Sequence, residues 1–288
     1  MAAGGPDAVT PDLIRNLNVY SGARGIYTDA ETTAGLAQTG GAVTVSLLHT
    51  GKIYPDELSA DGVVYHYPET LRAGKDAQEV EATKAASRLE LPVFVIVPSS
   101  NPNLRDVRRG WVTGWNDASH EFYVAFAAER PSSVPSVDVV DETPFHLTGQ
   151  GSTVSAVIRA RPGQARFKFE VFGRYGPSCA VCGLDIEGLL DAAHIRDKRF
   201  NGSDDPRNGL VLCALHHRAM DRGLFGIDPA DRSIQSLPSG PSLVALGITK
   251  IDLTHLPRLP HEKALEWRWR QWRRVAQAED AHAVEPPV

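Results

Sequence analysis

All three cysteines of the chain fall in one short stretch, in two pairs with the spacing of metal ligands. The first pair is Cys179-x2-Cys182, and the second, thirty residues further on, is Cys213-x2-His216. Three thiolates and one imidazole complete a tetrahedral zinc site and leave no position open for water or substrate. The spacing therefore predicts a structural zinc ion. Three buried free cysteines, or a redox Cys-x-x-Cys, are the alternatives, and no βαβ pattern surrounds the first pair to favour the redox motif.

A histidine, an asparagine and a second histidine are interleaved with these pairs. They are His194, Asn208 and His217, spaced as His-x13-Asn-x8-His. Over roughly residues 170–228, this arrangement resembles the HNH (ββα-metal) nuclease motif. The resemblance implies a ββα-metal fold and a metal-dependent DNA endonuclease that leaves 3′-hydroxyl and 5′-phosphate ends.

The resemblance gives each of the three residues a role that its chemistry allows. His194 would take a proton from the attacking water, because a neutral imidazole titrates near the working pH. His217 would bind Mg²⁺ or Mn²⁺, which would stabilise charge on the phosphate and the leaving 3′ oxygen. Asn208 would hold the hairpin that carries His194 in shape and take no part in bond making.

The chain departs from the HNH pattern at the residue before the first histidine. Many family members have an aspartate there as a second ligand of the catalytic metal, whereas this chain has Ala193. Asp191, three residues before His194, and Asp221, four residues after His217, are the candidate replacements, and Asp191 is the one we assign. Alternation along an extended strand does not by itself place Asp191 on the side of His194.

The N-terminal half contains a second, looser resemblance, carried by tyrosines and carboxylates. The segments Val45-Ser-Leu-Leu-His-Thr-Gly-Lys-Ile-Tyr54-Pro-Asp-Glu57 and Gly62-Val-Val-Tyr-His-Tyr67 are similar to the SRA domains of the PUA-like superfamily, which flip a modified cytosine into a pocket. The resemblance implies that Tyr54 and Tyr67 stack on the flipped base and that Asp56 or Glu57 accepts a hydrogen bond from cytosine N4. The alternative is that the tyrosines are ordinary sheet residues.

Together, the two halves resemble the SRA-HNH modification-dependent restriction endonucleases. The implied substrate is double-stranded DNA carrying 5-methylcytosine or 5-hydroxymethylcytosine, and a homodimer is expected because one HNH site cuts one strand. Two alternatives stay open. The chain could be a zinc-stabilised protein that binds modified DNA without cutting it, or a nuclease whose front domain reads another modification or a protein partner.

The net charge of −5 hides an asymmetry between the two halves. Residues 1–150 carry 11 basic and 19 acidic residues, whereas residues 151–288 carry 19 and 16. The C-terminal half is therefore better suited to a polyanion, and we assign DNA-backbone contacts to its cluster of Arg196, Lys198 and Arg199. A solvated charged face is the alternative for this cluster.

The pattern of residues predicts an α+β protein. Five short β-branched or aromatic runs predict strands, and Asp76 to Leu89 predicts a helix, so that the N-terminal part should form a small barrel or strongly curved sheet. A short strand is predicted near Val154–Ile158 and a helix at Gln164 to Tyr175. In the last helix, Leu265, Trp269 and Trp272 recur at helical spacing, which we interpret as packing on the domain core, with a dimer surface as a possible use.

These elements predict an SRA-like reader at residues 1–150, a linker at 151–165 and an HNH domain with a C-terminal helix at 166–288. With 42% hydrophobic residues, the 288-residue chain can bury a sizeable core. It has no apolar run long enough to span a membrane and no visible secretory signal, so we expect a cytoplasmic protein without a membrane partner.

Overall fold

The computed structural model describes residues 6–21, 25–33, 35–36, 42–50, 57–70, 72, 74–149 and 163–283. The chain divides into two compact units. The first contains the described residues up to Pro135 and those from 163 to Phe169, and the second contains residues 136–149 and those from Glu170 onward. The strand predicted near Val154–Ile158 lies outside the described residues, and the domain limits drawn from the sequence stay a prediction.

The first unit is built on one mixed seven-stranded sheet. Its strands are β1 (Ile26–Thr28), β2 (Thr44–Leu48), β3 (Glu57–Leu58), β4 (Gly62–His66), β5 (Val93–Pro98), β6 (Arg105–Asn116) and β7 (Glu121–Phe126). Its helices are α1 (Pro11–Asn16), α2 (Ala30–Thr33) and α3 (Lys75–Arg88). The sheet order is β1-β2-β5-β6-β7-β4-β3, with β2 and β5 parallel and the other pairs antiparallel.

Helix α3 packs on this sheet through small residues. Ala82, Thr83 and Ala86 are buried, and the Thr83 hydroxyl lies 2.8 Å from the hydroxyl of Thr44 on β2. Small side chains let a helix approach a sheet closely, and the buried apolar residues of β2, β4, β5 and β7 fill the space below it. The predicted helix and the five predicted strands are confirmed, although the run Trp111-Val-Thr-Gly-Trp115, which predicts the fourth strand, is only the second half of β6, which begins at Arg105.

The second unit contains the remaining elements. Its helices are α4 (Val137–Glu142), the second half of α5 (Gln164–Tyr175), α6 (Ala214–Asp221) and α7 (Glu262–Ala283). Its strands are β8 (Leu190–His194), β9 (Gly209–Cys213), β10 (Phe225–Ile227) and β11 (Ile234–Ser236). Strands β8 and β9 form one antiparallel hairpin and β10 and β11 form another, so the molecule as a whole is of the α+β class.

Helix α7 packs on the β10–β11 hairpin, as the tryptophan spacing predicts. Leu265 is 1% exposed and Trp272 is 7% exposed, and the Trp269 ring stacks on that of Trp272 at 4.7 Å. A Cβ atom at Gly226 on β10 would lie 2.5 Å from the Trp272 ring, so only glycine allows this approach. Leu265, Trp269 and Trp272 therefore pack within the second unit. Among the described helices, none is both long and apolar enough to cross a membrane.

Candidate nuclease site and zinc centre

The three cysteines and His216 converge on one point. Their ligand atoms lie within 4.8 Å of one another. Within the described part of the chain, this is the one group of three or more histidine, cysteine, aspartate or glutamate residues that could hold a metal ion. The Nδ1 atom of His216 is 3.1 Å from Cys213 Sγ and 3.6 Å from Cys179 Sγ. The donor set is that of a structural zinc site, as the spacing predicted.

The surroundings of His216 fix the nitrogen that it presents to the sulfur atoms. Its Nε2 atom lies 3.0 Å from the carbonyl oxygen of Leu246, to which it donates a hydrogen bond. The lone pair is therefore on Nδ1, which faces the cysteines. Burial raises the pKa of the Cys182 thiol to about 12, so a bound divalent cation would be needed to hold that sulfur as a thiolate at neutral pH.

The four candidate zinc ligands lie around a ββα arrangement. Strand β8 pairs with β9 so that His194 lies opposite Gly209, at the end of the hairpin that the loop of residues 195–208 closes. Cys213 ends β9 and is the residue before α6, and His216 lies in the first turn of that helix. A metal ion bound by these residues would hold the start of α6 against the turn that carries Cys179 and Cys182.

His194 forms a hydrogen bond with a carboxylate that the sequence analysis did not single out. Its Nε2 atom lies 3.0 Å from Asp204 Oδ1, and Lys198 Nζ lies 2.7 Å from Asp204 Oδ2. Burial raises the pKa of Asp204, but the hydrogen bonds from His194 and Lys198 outweigh it, and the pKa is lowered overall. The one sequence feature that points to Asp204 is its place in the loop between the two motif residues His194 and Asn208.

Asn208 is completely buried and holds the loop that follows β8. Its Oδ1 accepts from the Arg196 amide at 2.9 Å, and its Nδ2 donates to the carbonyls of Arg196 at 3.2 Å and Ser203 at 2.9 Å. Its own carbonyl accepts from the amide of Ile195 at 2.8 Å. One side chain thus connects both ends of the loop, and its positional role in the reaction stays a prediction.

His217 lies beside Asp191, the carboxylate that we assign from the sequence as the second ligand of the catalytic metal. Its Nδ1 atom lies 3.0 Å from Asp191 Oδ2, and its Nε2 lies 3.7 Å from Asp221 Oδ2. The hydrogen bond to Asp191 raises the pKa of His217, which burial opposes and Asp221 reinforces. Arg268 from α7 reaches the same place, with Nη2 3.7 Å from Asp221 Oδ1. Both candidate carboxylates therefore lie beside His217, and Asp191 is the nearer.

The basic cluster has partners within its own unit. The guanidinium of Arg196 lies over the Trp267 ring at 5.1 Å, and its Nε donates to the carbonyl of Phe200 at 3.0 Å. Arg199 Nε lies 3.1 Å from Asp197 Oδ2, and Lys198 bonds to Asp204 as described. The cluster is therefore an ordered surface, whose role in DNA binding stays a prediction.

The base-pocket residues of the first unit are only partly described. Tyr54 and Asp56 lie outside the described residues, and Glu57 is placed on β3 by its backbone alone. Tyr67 is 7% exposed and donates a hydrogen bond to Asp117 Oδ1 at 2.9 Å. The His120 ring stacks on it with centroids 5.7 Å apart and planes 7° from parallel.

Charge is concentrated at the hydroxyl end of Tyr67. Lys84 Nζ lies 2.7 Å from Asp117 Oδ1 and 5.8 Å from the centre of the Tyr67 ring. The hydrogen bond from Lys84 lowers the pKa of Asp117, and burial together with the bond to Asp117 raises that of Tyr67. Tyr67 is thus neutral, with an ordered hydroxyl at the end of β4.

Comparison with known proteins bears directly on the zinc and hairpin region. Residues 179–228 match the HNH_2 family, described as HNH endonuclease. The chain contains an HNH endonuclease domain. The matched residues span both zinc pairs, the β8–β9 hairpin, α6 and β10, so the HNH resemblance read from the sequence is confirmed. No curated protein matches the chain.

Solved structures of two kinds resemble the chain. The modification-dependent TagI restriction endonuclease is 18% identical, with 94% of each chain covered and a TM-score of 0.38. The SUVH5 SRA domain in complex with methylated CHH DNA is 17% identical, covers 46% of this chain and 94% of its own, and has a TM-score of 0.33. The SUVH5 SRA domain bound to fully hydroxymethylated CG DNA is 17% identical, covers 47% of this chain and 98% of its own, and has a TM-score of 0.31. With TM-scores of 0.38 or less, the likeness to these structures carries no information about the substrate of this chain.

Proposed function

We propose that the chain is a modification-dependent DNA endonuclease that hydrolyses one phosphodiester bond at its HNH domain. The observation that carries this proposal is the placement of two histidines on one ββα unit. His194 forms a hydrogen bond with the carboxylate of Asp204, and His217 forms one with the carboxylate of Asp191. A positioned base and an imidazole–carboxylate pair that suits a divalent cation are the two components that metal-assisted hydrolysis of a phosphodiester needs.

The residues divide the work of the reaction between them. His194 takes the proton from the water that attacks phosphorus. Asp191 and His217 are the residues that would hold Mg²⁺ or Mn²⁺, with a DNA phosphate completing the coordination. Such an ion would supply stabilisation of negative charge on the phosphate and the leaving 3′ oxygen. The products are then a 3′-hydroxyl and a 5′-phosphate.

The nuclease part of the proposal is tested by plasmid nicking. We expect His194→Ala to lower the cleavage rate by roughly 10²–10⁴-fold, the usual loss for a general base. His255→Ala is the matched control, because His255 is an exposed histidine of the same unit. EDTA should abolish cleavage, and Mg²⁺ or Mn²⁺ should restore it. Cleavage by folded His194→Ala within tenfold of wild type would exclude the assigned role, and binding without cleavage by the wild type would indicate a non-catalytic reader.

The reader part of the proposal places a flipped 5-methylcytosine or 5-hydroxymethylcytosine in the first unit. Tyr54 and Tyr67 would stack on it, and Asp56 or Glu57 would accept from its N4 amine. A base on the face of Tyr67 that His120 covers would take the place of that imidazole. Extruding a base costs a few kcal/mol, which stacking and edge hydrogen bonds offset.

Matched duplexes with cytosine, 5-methylcytosine or 5-hydroxymethylcytosine test the reader. We expect faster cleavage of the modified duplexes at fixed salt, and Tyr54→Ala should weaken binding to them by about 1–3 kcal/mol, the usual worth of one base–aromatic stack. Basal nicking of unmodified DNA should survive, because His194 lies in the other unit. Equal cleavage of all three duplexes would indicate that this unit recognises something else. Double-strand cleavage should rise with the square of enzyme concentration, since it needs two HNH sites.

A further inference from the structure

We propose that Asp204 is a positioning residue for the reaction, which holds the imidazole of His194 with its proton on Nε2 and its basic lone pair on Nδ1. This inference rests on the proposed role of His194 as general base. Its geometric basis is the hydrogen bond of 3.0 Å between His194 Nε2 and Asp204 Oδ1. An ionised carboxylate can only accept hydrogen bonds, so the imidazole nitrogen that faces it must carry the proton.

The second oxygen of the same carboxylate keeps it ionised and in place. Lys198 Nζ lies 2.7 Å from Asp204 Oδ2, so each oxygen has a cationic or donor partner of its own. A carboxylate held by a lysine on one side does not rotate away from the imidazole on the other. Lys198 therefore has an intramolecular task besides any contact with DNA.

The loop around Asp204 is fixed from both sides. The Ser203 carbonyl accepts a hydrogen bond from Asn208 Nδ2 at 2.9 Å, and the Ser203 amide donates one to the Leu147 carbonyl at 3.3 Å. On the other side, Asp205 accepts from the Arg207 amide at 2.9 Å and forms a salt bridge of 2.7 Å with its guanidinium. Asp204 thus lies between two anchored residues, and its neighbour Asp205 has a structural role of its own.

The chemical benefit lies in the proton transfer. A proton leaves the attacking water for Nδ1 of His194 as the water oxygen bonds to phosphorus. The bond from phosphorus to the 3′ oxygen then breaks with its electron pair on that oxygen, which takes a proton from solvent. The imidazole becomes a cation during this step. A carboxylate 3.0 Å from its far nitrogen stabilises that cation and holds the ring in the orientation that the water requires. Asp204 itself stays ionised throughout.

The test uses the full chain loaded with zinc and compares Asp204→Asn, Asp204→Ala and Asp204→Glu in steady-state nicking assays. We expect Asp204→Asn to lower kcat at least ~10-fold with little change in KM or in DNA affinity, because the amide is isosteric but uncharged. Asp204→Glu should recover part of the loss. Asp205→Asn is the matched control, and we expect it to lower thermal stability through Arg207 while kcat of the folded protein changes less than threefold.

A second measurement does not depend on activity. In protein with ¹⁵N-labelled histidine, the side-chain nitrogen shifts of His194, assigned by comparison with His194→Ala, should show the Nε2–H form in the wild type and a mixture of both forms in Asp204→Ala. A wild-type His194 that carries its proton on Nδ1, or an Asp204→Asn enzyme within threefold of wild-type kcat, would overturn the inference. If the wild type shows the Nε2–H form but cuts no DNA, the proposed nuclease function fails and the contact between Asp204 and His194 stands.

Discussion

Replacing Asn208 by alanine should release the loop that carries the proposed base without removing any group that takes part in the chemistry. Three hydrogen bonds from its side chain connect the start of this loop, at Arg196, to a point near its end, at Ser203. Asn208 is completely buried, so water does not replace the lost partners in the closed loop. We therefore expect Asn208→Ala to fold around its zinc and to cut DNA poorly.

The size of the effect follows from those contacts. A typical intramolecular hydrogen bond contributes about 1 kcal/mol, so losing three should raise the free energy of the closed loop by about 3 kcal/mol relative to the open one. Each 1.4 kcal/mol is a factor of ten in an equilibrium constant, and the open form should therefore become on the order of 100-fold more populated. Local opening of this kind appears as faster amide exchange.

Hydrogen exchange of the segment 195–208, followed by mass spectrometry, measures the opening directly. The control is Asn201→Gly in the same loop, which loses one exposed bond from the side chain to the Gly149 carbonyl and keeps the left-handed backbone of that position. We expect it to change exchange less than tenfold. If Asn208→Ala exchanges like the wild type but cleavage is lost, Asn208 acts in the chemistry and the positional role is wrong.

Three further predictions concern other parts of the molecule. Cys182→Ser should lose zinc and unfold the C-terminal unit, because a structural site couples metal binding to folding, and elemental analysis should find one zinc per wild-type chain. Tyr67→Phe should cost about 1 kcal/mol of stability through the lost bond to Asp117, while the ratio of modified to unmodified cleavage stays within twofold because stacking is kept. Asp141→Asn should cost about 1.5–3 kcal/mol at pH 7, since the buried Arg174 loses its carboxylate partner at 2.6 Å. Burial raises the pKa of Asp141, but Arg174 and Arg258 outweigh it, and the pKa lies below the ordinary value of 3.8. The stability from this ion pair is therefore fully present above pH 3.8 and is lost as the pH falls through the folded-state pKa. In acid denaturation, the stabilities of the wild type and Asp141→Asn should converge.

The zinc ligands and the motif residues could be predicted from the sequence because their spacing is local. Cys213 and His216 are separated by one helical turn, and a knuckle brings Cys179 and Cys182 together whatever the rest of the chain does. Strand and helix limits followed in the same way from β-branched runs and uninterrupted helix formers. In both cases the signal lies in neighbouring residues, and long-range packing does not alter it.

Contacts that depend on the path of a loop could not be predicted in this way. Asp204 reaches His194 only because the intervening loop folds back, and nothing in the local sequence states where a loop returns. The sequence leaves the neighbour of Asp191 open, since strand alternation fixes the face on which a side chain lies and not the residue that it meets. The packing of α6 against β8 supplies that neighbour in His217.

The adjacent histidines of α6 illustrate how the domain would separate the candidate zinc site from the proposed catalytic metal site. Successive residues of an α-helix point about 100° apart. His216 therefore turns inward, where it is 2% exposed and faces the cysteine sulfurs, while the His217 side chain is 30% exposed and faces Asp191. A zinc ion held by four protein ligands would fix the helix. The same helix would then present the His217 imidazole to a second ion that can still accept a phosphate oxygen. In the proposed nuclease, exchange of the catalytic ion would therefore leave the fold intact, because neither histidine would serve both sites.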